Sequence, residues 1–184
     1  AKTITRVGSP VTSTTRSQFY GSSLRSSLNN YLTVPAGSGS DFDFGSGNFT
    51  VECWANANVL HSNGAHLISA WGSNTSFALG LGGGGAQNML GTNGVFNGSS
   101  VFLGYNANTV MSANTWYHLA YVRNSTTLSF YINGVLVQSA TISGSISTPT
   151  ATVNLGAHEQ SPSTYYFDGY INDVRIYKGV AKYT

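Results

Sequence analysis

The chain has 184 residues, of which 41% are hydrophobic and only 8% are charged, with a formal net charge of +2. The length suits one domain with a sizeable core, and the charge is too small to predict binding to nucleic acid or to an anionic membrane. Short neutral polar residues dominate the rest, and they favour strands and turns over helices. The composition therefore predicts an all-β domain.

Residues 1–28 are rich in Ser, Thr and Arg, and they predict an extended N-terminal arm that precedes a sandwich over residues 29–184. Four cations come before the first acid, Asp41: Lys2, Arg6, Arg16 and Arg25. Two interpretations of this basic arm stay open, a solvated segment or a segment that docks on an acidic partner protein. The first residues lack an apolar signal-peptide core, so we expect synthesis without a signal peptide.

From residue 30 onward, short apolar stretches alternate with Gly, Asn and Ser clusters that end them. The stretch from Asn48 places Phe49, Val51 and Cys53 on one face, which predicts a buried Cys53. We assign Trp54 and Trp116 to packing. The predicted strands are Tyr31–Pro35, Asn48–Ala57, Ala65–Trp71, Ser76–Leu81, Val101–Tyr105, Trp116–Arg123, Ala151–Gly156 and Tyr165–Tyr177.

The Asn133-Gly134 pair predicts a two-residue hairpin turn, because both central positions of a type I′ turn need a positive φ. Such a turn pairs Ile132 with Val135, Phe130 with Val137 and Leu128 with Ser139. No stretch shows a helical pattern of convincing length. Many short strands between turns predict a two-sheet antiparallel β-sandwich of the jelly-roll kind.

Three ordered segments resemble laminin G-like members of the concanavalin A-like lectin/glucanase superfamily. They are Phe42–Trp54 (FDFGSGNFTVECW), Asn114–Ala120 (NTWYHLA) with Tyr131–Val135 (YINGV), and Phe167–Tyr177 (FDGYINDVRIY). The closing residues Lys178–Thr184 (KGVAKYT) are similar to the laminin G-like domains of bacteriophage tail-fibre and capsid-associated proteins. This resemblance implies a virion location, other virion proteins as partners, and assembly as a homo-oligomer.

The superfamily includes glucanases, so catalysis has to be considered. Retaining glycosidases need two carboxylates about 5 Å apart, whereas this chain has six acidic residues without the clustered spacing of the glucanase branch. The four His residues lack metal-ligand spacing, and no Gly-x-Ser-x-Gly nucleophile motif occurs. We therefore expect no enzymatic activity.

The resemblance also implies two kinds of ligand. Relatives often hold one Ca²⁺ near a sheet rim, and Asp168, Asn172 and Asp173 are the candidate ligands, although Asn172 stands where the family often has Asp. No cofactor is otherwise required. For sugars, aromatic rings near strand ends are the expected stacking surfaces. These candidates are Trp71, Tyr105, His158, Tyr165 and Tyr166.

Two functions compete at this stage. The first is a non-enzymatic phage virion protein that attaches through its arm, displays the sandwich and contacts host-surface glycans. The second is a free carbohydrate-binding lectin, which would act outside the cell.

Overall fold

A computed structural model describes residues 3–37, 39–71 and 75–184. Within these ranges the strands are, in chain order, β1 (Thr5–Val7), β2 (Val11–Ser13), β3 (Ser23–Ser26), β4 (Tyr31–Pro35), β5 (Phe49–Val59), β6 (Ala65–Trp71), β7 (Thr75–Leu81), β8 (Leu90–Phe96), β9 (Ser99–Gly104), β10 (Trp116–Asn124), β11 (Thr127–Ile132), β12 (Val135–Thr141), β13 (Thr152–Leu155) and β14 (Asp168–Lys178). Two short 3₁₀ turns occur at Gly84–Ala86 and Ala107–Thr109. None of the described segments is a helix long and apolar enough to cross a bilayer.

The strands form two seven-stranded antiparallel sheets. Sheet 1 has the order β1-β4-β13-β6-β7-β8-β9, and sheet 2 has the order β12-β11-β10-β5-β14-β3-β2. The core lies between them, because alternate residues of a strand point to opposite faces. Phe49, Val51 and Cys53 of β5 have no exposed surface and join one hydrophobic cluster with residues of both sheets. The predicted all-β sandwich and the burial of Cys53 are confirmed.

Most predicted strands are present, and β4 and β6 have the predicted bounds. The sequence analysis missed β8, whose residues LGTNGVF include two glycines that weaken the strand signal. Those glycines are required by packing. A Cβ at Gly91 would lie 2.6 Å from the ring of Tyr105, and one at Gly94 would lie 2.5 Å from the Tyr121 hydroxyl.

The hairpin register is only partly as predicted. Ile132 pairs with Val135 across the Asn133-Gly134 turn, and Asn133 has the expected positive φ of 51°. A β-bulge between Phe130 and Tyr131 then shifts the pairing by one residue. Phe130 therefore pairs with Gln138 and Leu128 with Ala140, so the predicted partners Val137 and Ser139 are wrong. A bulge inserts one unpaired residue, and a register argument from the turn alone misses it.

The first 28 residues differ from the expected arm. β1 pairs with β4 in sheet 1, while β2 and β3 extend sheet 2 beside β14. The segment therefore supplies edge strands to both sheets, and the expected boundary at residue 28 does not separate it from the sandwich. Its backbone groups find partners there although few of its side chains are apolar. Lys2 lies outside the described residues.

Candidate functional site

The outer face of sheet 1 carries a recess lined by aromatic rings, which we call the aromatic pocket: His66, Trp71, Tyr105, His158 and Tyr165. It consists of two adjoining cavities of about 430 and 360 Å³ that share His66, Trp71 and Tyr165. His66 and Trp71 come from β6. His66 points away from the core because its chain neighbours Ala65 and Leu67 point into the core.

The rings of the pocket contact one another in T-shaped and tilted pairs. The His66 ring centroid lies 4.7 Å from that of His158 and 5.8 Å from that of Trp71. His158 in turn lies 5.5 Å from Tyr165. His158 and Tyr165 lie in the connection between β13 and β14. The backbone N–H groups of His66 and His158 both donate to the Tyr165 carbonyl, at 3.4 and 3.0 Å. The connection is therefore anchored to β6 at the pocket.

Tyr105 closes the other side of the pocket. Its ring fits only because two neighbouring residues lack side chains, since a Cβ at Gly82 or Gly91 would lie 2.8 or 2.6 Å from it. Its backbone adopts a left-handed φ of 54°, which is uncommon for a bulky residue. Burial raises the pKa of the Tyr105 hydroxyl, so Tyr105 is a neutral group near pH 7.

The pocket also holds polar atoms without partners in the described part of the chain. They are Nδ1 of His66 and both side-chain amide atoms of Asn93 from β8, which is 1% exposed. Burying such groups without a hydrogen bond is unfavourable by roughly 1–3 kcal/mol each.

Both imidazoles of the pocket are neutral near pH 7. Burial lowers the pKa of His66 to about 3, and the nearby His158 adds to the shift. Burial lowers the pKa of His158 as well. The backbone N–H groups of Gln160 and Ser161 donate to Nδ1 of His158, at 3.0 and 3.1 Å. This assigns the proton of His158 to Nε2, so the pocket offers neutral donors and acceptors.

Four of the five predicted glycan-contact residues meet in this pocket. Tyr166 does not line either cavity and packs its ring 4.5 Å from that of His61. Sequence reasoning missed His66 and Asn93. The alternation of β6 could have identified His66 as outward-facing, whereas Asn93 lies in the unrecognised strand β8.

The predicted calcium ligands have protein partners instead. Asp168 Oδ1 accepts a hydrogen bond of 2.8 Å from Arg25. Asn172 Oδ1 accepts from the backbone N–H groups of Gln18 and Phe19. Asp173 pairs with Arg175. Among the described residues, no three His, Cys, Asp or Glu side chains are grouped to hold a metal ion.

The basic residues of the N-terminal segment are dispersed. Arg16 and Arg25 each lie over the Tyr170 ring, 5.4 Å from its centroid. Arg16 also donates a hydrogen bond of 2.7 Å to Asn56. Arg6 is exposed on β1, in the other sheet. Arg16 and Arg25 therefore bind the sandwich itself.

Trp54 and Trp116 differ from their predicted packing role. Both are half-buried on the outer face of sheet 2, where they line a second cavity with His118. Their strands β5 and β10 are central to the sheet, but Trp54 and Trp116 lie on the face opposite the core residues Cys53 and Leu119. The outer face is only partly covered, and the indoles remain accessible there.

The fold resembles several solved sugar-binding structures. Domain 4 of AbnA, an extracellular arabinanase of Geobacillus stearothermophilus solved with arabinotriose, has a TM-score of 0.68 and 23% identity over 98% of this chain and 84% of its own. The binding domain of botulinum neurotoxin DC, in complex with SialylT, has a TM-score of 0.66 and 15% identity over 97% of this chain. The chain spans only 43% of that toxin domain.

A pentraxin of Limulus polyphemus is more distant, with a TM-score of 0.54 and 14% identity over 81% of this chain and 77% of its own. No curated protein sequence matches the chain. The profile of the Laminin_G_3 family, described as concanavalin A-like lectin/glucanases superfamily, matches residues 26–182. The chain therefore belongs to the laminin G-like family of the concanavalin A-like lectin/glucanase superfamily.

Proposed function

We propose that this chain is a non-catalytic, lectin-like domain that binds a glycan in the aromatic pocket. One observation carries the proposal: the rings of Trp71 and Tyr165 line one recess together with the uncharged polar side chains of His66 and Asn93. Sugars present C–H faces that pack on aromatic rings and hydroxyls that both donate and accept hydrogen bonds.

The pocket recognises a sugar through neutral groups. A pyranose or furanose ring packs on Trp71 and on Tyr165, which is 36% exposed. Its hydroxyls meet the uncharged polar side chains that line the same recess, His66 among them. Two of the structural relatives were solved with sugar ligands, arabinotriose and SialylT, which supports this ligand class. No cofactor takes part.

A glycan array probed with the isolated domain tests this function. We expect binding to at least one glycan, and Trp71→Ala and Tyr165→Ala each to weaken it about tenfold, as loss of about 1.4 kcal/mol of ring stacking implies. Val11→Ala, a change of a 52% exposed residue on β2, is the control for folding. A silent array, or binding that neither pocket variant weakens, would refute the proposal.

The absence of catalysis is part of the proposal. Four of the six acidic residues have cationic or hydroxyl partners: Glu52 with Tyr183, Asp43 with Thr148, Asp168 with Arg25, and Asp173 with Arg175. Glu159 accepts from the Thr152 backbone. Retaining glycosidases instead place two carboxyl groups about 5 Å apart on either side of one bond. Incubation with oligosaccharides that the array identifies should release no product.

The cellular setting is the finer part of the proposal. The closing KGVAKYT residues support display on a phage particle; the alternative is a free lectin outside the cell. Docking on a virion protein would use the exposed N-terminal residues Arg6 and Ile4. Particles should carry the protein in immunoblots, and Arg6→Glu with Ile4→Ser should release it. A protein absent from purified particles would favour the free lectin.

A further inference from the structure

The outer face of sheet 2 carries a second cavity, which we call the tryptophan cleft: Phe19, Trp54, Trp116, His118 and Tyr183, with Glu52, Asp173 and Arg175. Its volume is about 690 Å³, within the range of small-molecule sites. Trp54 lies on β5 and Trp116 on β10, at positions that face away from the core. Two half-buried indoles in one cavity form an aromatic surface that a ligand can cover.

The N-terminal segment forms one wall of the cleft. Asn172 of β14 accepts hydrogen bonds from the backbone N–H groups of Gln18 and Phe19, at 3.1 and 2.8 Å. The Phe19 ring then meets Trp54 edge-on, with 5.5 Å between centroids. Because the segment is bonded to a central strand, the wall is held in place before any ligand arrives.

The C-terminal segment forms the opposite wall. Thr50 Oγ1 donates to the Val180 carbonyl at 2.9 Å and accepts from the Lys182 backbone at 3.0 Å. Tyr183 then packs its ring 5.4 Å from Tyr131 and donates its hydroxyl to Glu52 Oε2 at 2.6 Å. A wall fixed in this way lowers the entropy lost when a ligand binds.

A β-bulge brings a charged pair to the cleft. The register of β14 against β5 shifts between Asn172 and Arg175, and Asp173 within the shift has a left-handed φ of 52°. Arg175 binds Asp173 with two contacts of 2.9 Å, from Nε to Oδ1 and from Nη2 to Oδ2. Bulges of this kind re-aim side chains, and here both partners line the cleft.

The charges of the cleft are paired internally. Burial opposes ionisation of Glu52, but the hydrogen bonds from His118 and Tyr183 outweigh it and hold the pKa of Glu52 below its ordinary value. Asp173 is neutralised by Arg175. An anionic ligand would therefore meet two carboxylates, and a cationic one would compete with Arg175 and His118. A neutral ligand with many hydroxyls matches the site best.

We infer that the tryptophan cleft is a second carbohydrate site, which binds a neutral oligosaccharide across Trp54 and Trp116. The sugar ring packs on the indoles, and its hydroxyls bridge the Asp173 carboxylate and the Arg175 guanidinium. The inference extends the proposed glycan binding to the opposite face of the sandwich. It does not depend on occupation of the aromatic pocket, and one chain with two such sites would link two glycans.

The chain has three tryptophans, which divide between the two sites: Trp71 in the aromatic pocket, Trp54 and Trp116 in the cleft. A Trp71→Phe protein therefore reports only on the cleft by fluorescence, and a Trp54→Phe/Trp116→Phe protein reports only on the pocket. Each is titrated with arabinotriose, cellotetraose and the anionic sugar sialyllactose. We expect saturable changes in the Trp71→Phe protein with a neutral sugar.

Substitutions in that Trp71→Phe background test the residues. We expect Trp54→Ala to weaken binding about tenfold and Arg175→Gln, whose side chain is 46% exposed, to weaken it several-fold. Val11→Ala should leave it unchanged. Thermal unfolding shows whether each variant is folded. If Trp54→Ala does not fold, Arg175→Gln still tests the inference.

Three outcomes would overturn the inference: no response of the Trp71→Phe protein to any neutral sugar, a response to sialyllactose alone, or a fluorescence change that follows only protein concentration. The last would identify the cleft as a contact between copies of the chain. A silent Trp54→Phe/Trp116→Phe protein would instead refute binding in the aromatic pocket while leaving the cleft standing.

Discussion

The two outer faces of the sandwich carry sites of different chemistry. The aromatic pocket on sheet 1 has uncharged polar atoms, the neutral imidazoles of His66 and His158 and the amide of Asn93. The tryptophan cleft on sheet 2 has an ion pair of Asp173 with Arg175 and a Glu52 carboxylate that accepts a hydrogen bond from Tyr183. The pocket keeps polar atoms unpartnered, whereas the cleft satisfies them within the protein. The two faces therefore differ in whether their polar atoms have hydrogen-bond partners within the protein.

The faces also use different parts of the chain. The pocket draws on the consecutive strands β6 to β9 and on the connection after β13. The cleft is built on central strands of sheet 2, and its walls are Phe19 and Tyr183, near the two ends of the described chain. Changes in the terminal segments should therefore affect the cleft and leave the pocket intact.

The largest expected effect is an acid-dependent loss of stability from the pocket. The pKa of His66 is near 3 in the folded protein and near 6.5 when unfolded. The unfolded chain thus binds the proton first, and the free energy of unfolding falls as the pH drops below 6.5. At about 1.4 kcal/mol per pKa unit, and with a reduction for residual solvent contact, we expect a loss of roughly 2–4 kcal/mol by pH 3.5.

Urea unfolding from pH 7 to pH 3.5 measures this loss. His66→Gln should flatten the profile between pH 6.5 and 4.5. His158 and Glu159 account for the slope that remains, because burial lowers the pKa of His158 and raises that of Glu159. A wild-type profile that is flat in that range would show that His66 is accessible to protons in the folded state.

Closing the space around Tyr105 should damage the pocket alone. In a Gly91→Ala variant the new Cβ would lie 2.6 Å from the Tyr105 ring, and overpacking of this kind destabilises by about 1–3 kcal/mol. We expect lower stability in urea. We also expect loss of glycan binding at the Trp71 reporter, by which we mean the Trp71 fluorescence of the Trp54→Phe/Trp116→Phe protein. Gly85→Ala is the matched control, because no atom lies within 4 Å of its added Cβ. Equal behaviour of the two variants would contradict the role of Gly91.

Removing the charge of Glu52 should lower the free energy of unfolding by about 1–2 kcal/mol. Of the two sites, it should affect the cleft alone. Glu52 is 3% exposed and holds Tyr183. Its pKa lies below the ordinary 4.5 in the folded protein, so its contribution is present above pH 4.5 and is lost as the pH falls below that value. Glu52→Gln should be less stable at pH 7 and should bind sugar more weakly at the cleft.

The same variant should bind at the pocket with wild-type affinity. Below pH 4.5, the free energy of unfolding measured in urea should fall less steeply with falling pH for Glu52→Gln than for the wild type. His66→Gln is measured beside them for comparison. If Glu52→Gln weakens the response of the Trp71 reporter, the two faces are coupled and the comparison between them fails.

The sequence predicted much of the sandwich because β5, β6, β10 and the turn at Asn133-Gly134 follow simple strand and turn rules. It missed β8, because close packing leaves no room for a side chain at Gly91 and Gly94, and glycine has a low strand propensity. It also missed β1 to β3, because these strands of three or four residues are held by backbone pairing and bear few apolar side chains.

The candidate sites were predictable only in part. Aromatic residues near strand ends identified Trp71, Tyr105, His158 and Tyr165, but the tertiary structure alone brings β6, β9 and the connection after β13 together. The cleft escaped prediction because its walls are contributed by residues more than 150 positions apart, and because the bulge at Asp173 reverses the side that strand alternation assigns.

The smallest expected difference separates two neighbouring tyrosines. Tyr165 lines both cavities of the aromatic pocket, whereas Tyr166 packs on His61 outside them. Tyr165→Ala should weaken glycan binding at the Trp71 reporter about tenfold, and Tyr166→Ala should change it less than about twofold, because a residue outside the site contributes only through stability. Fluorescence titration of both variants in the Trp54→Phe/Trp116→Phe background makes the comparison directly. A larger effect of Tyr166→Ala would place the sugar beside His61 and shift the site from the face of sheet 1 toward its rim.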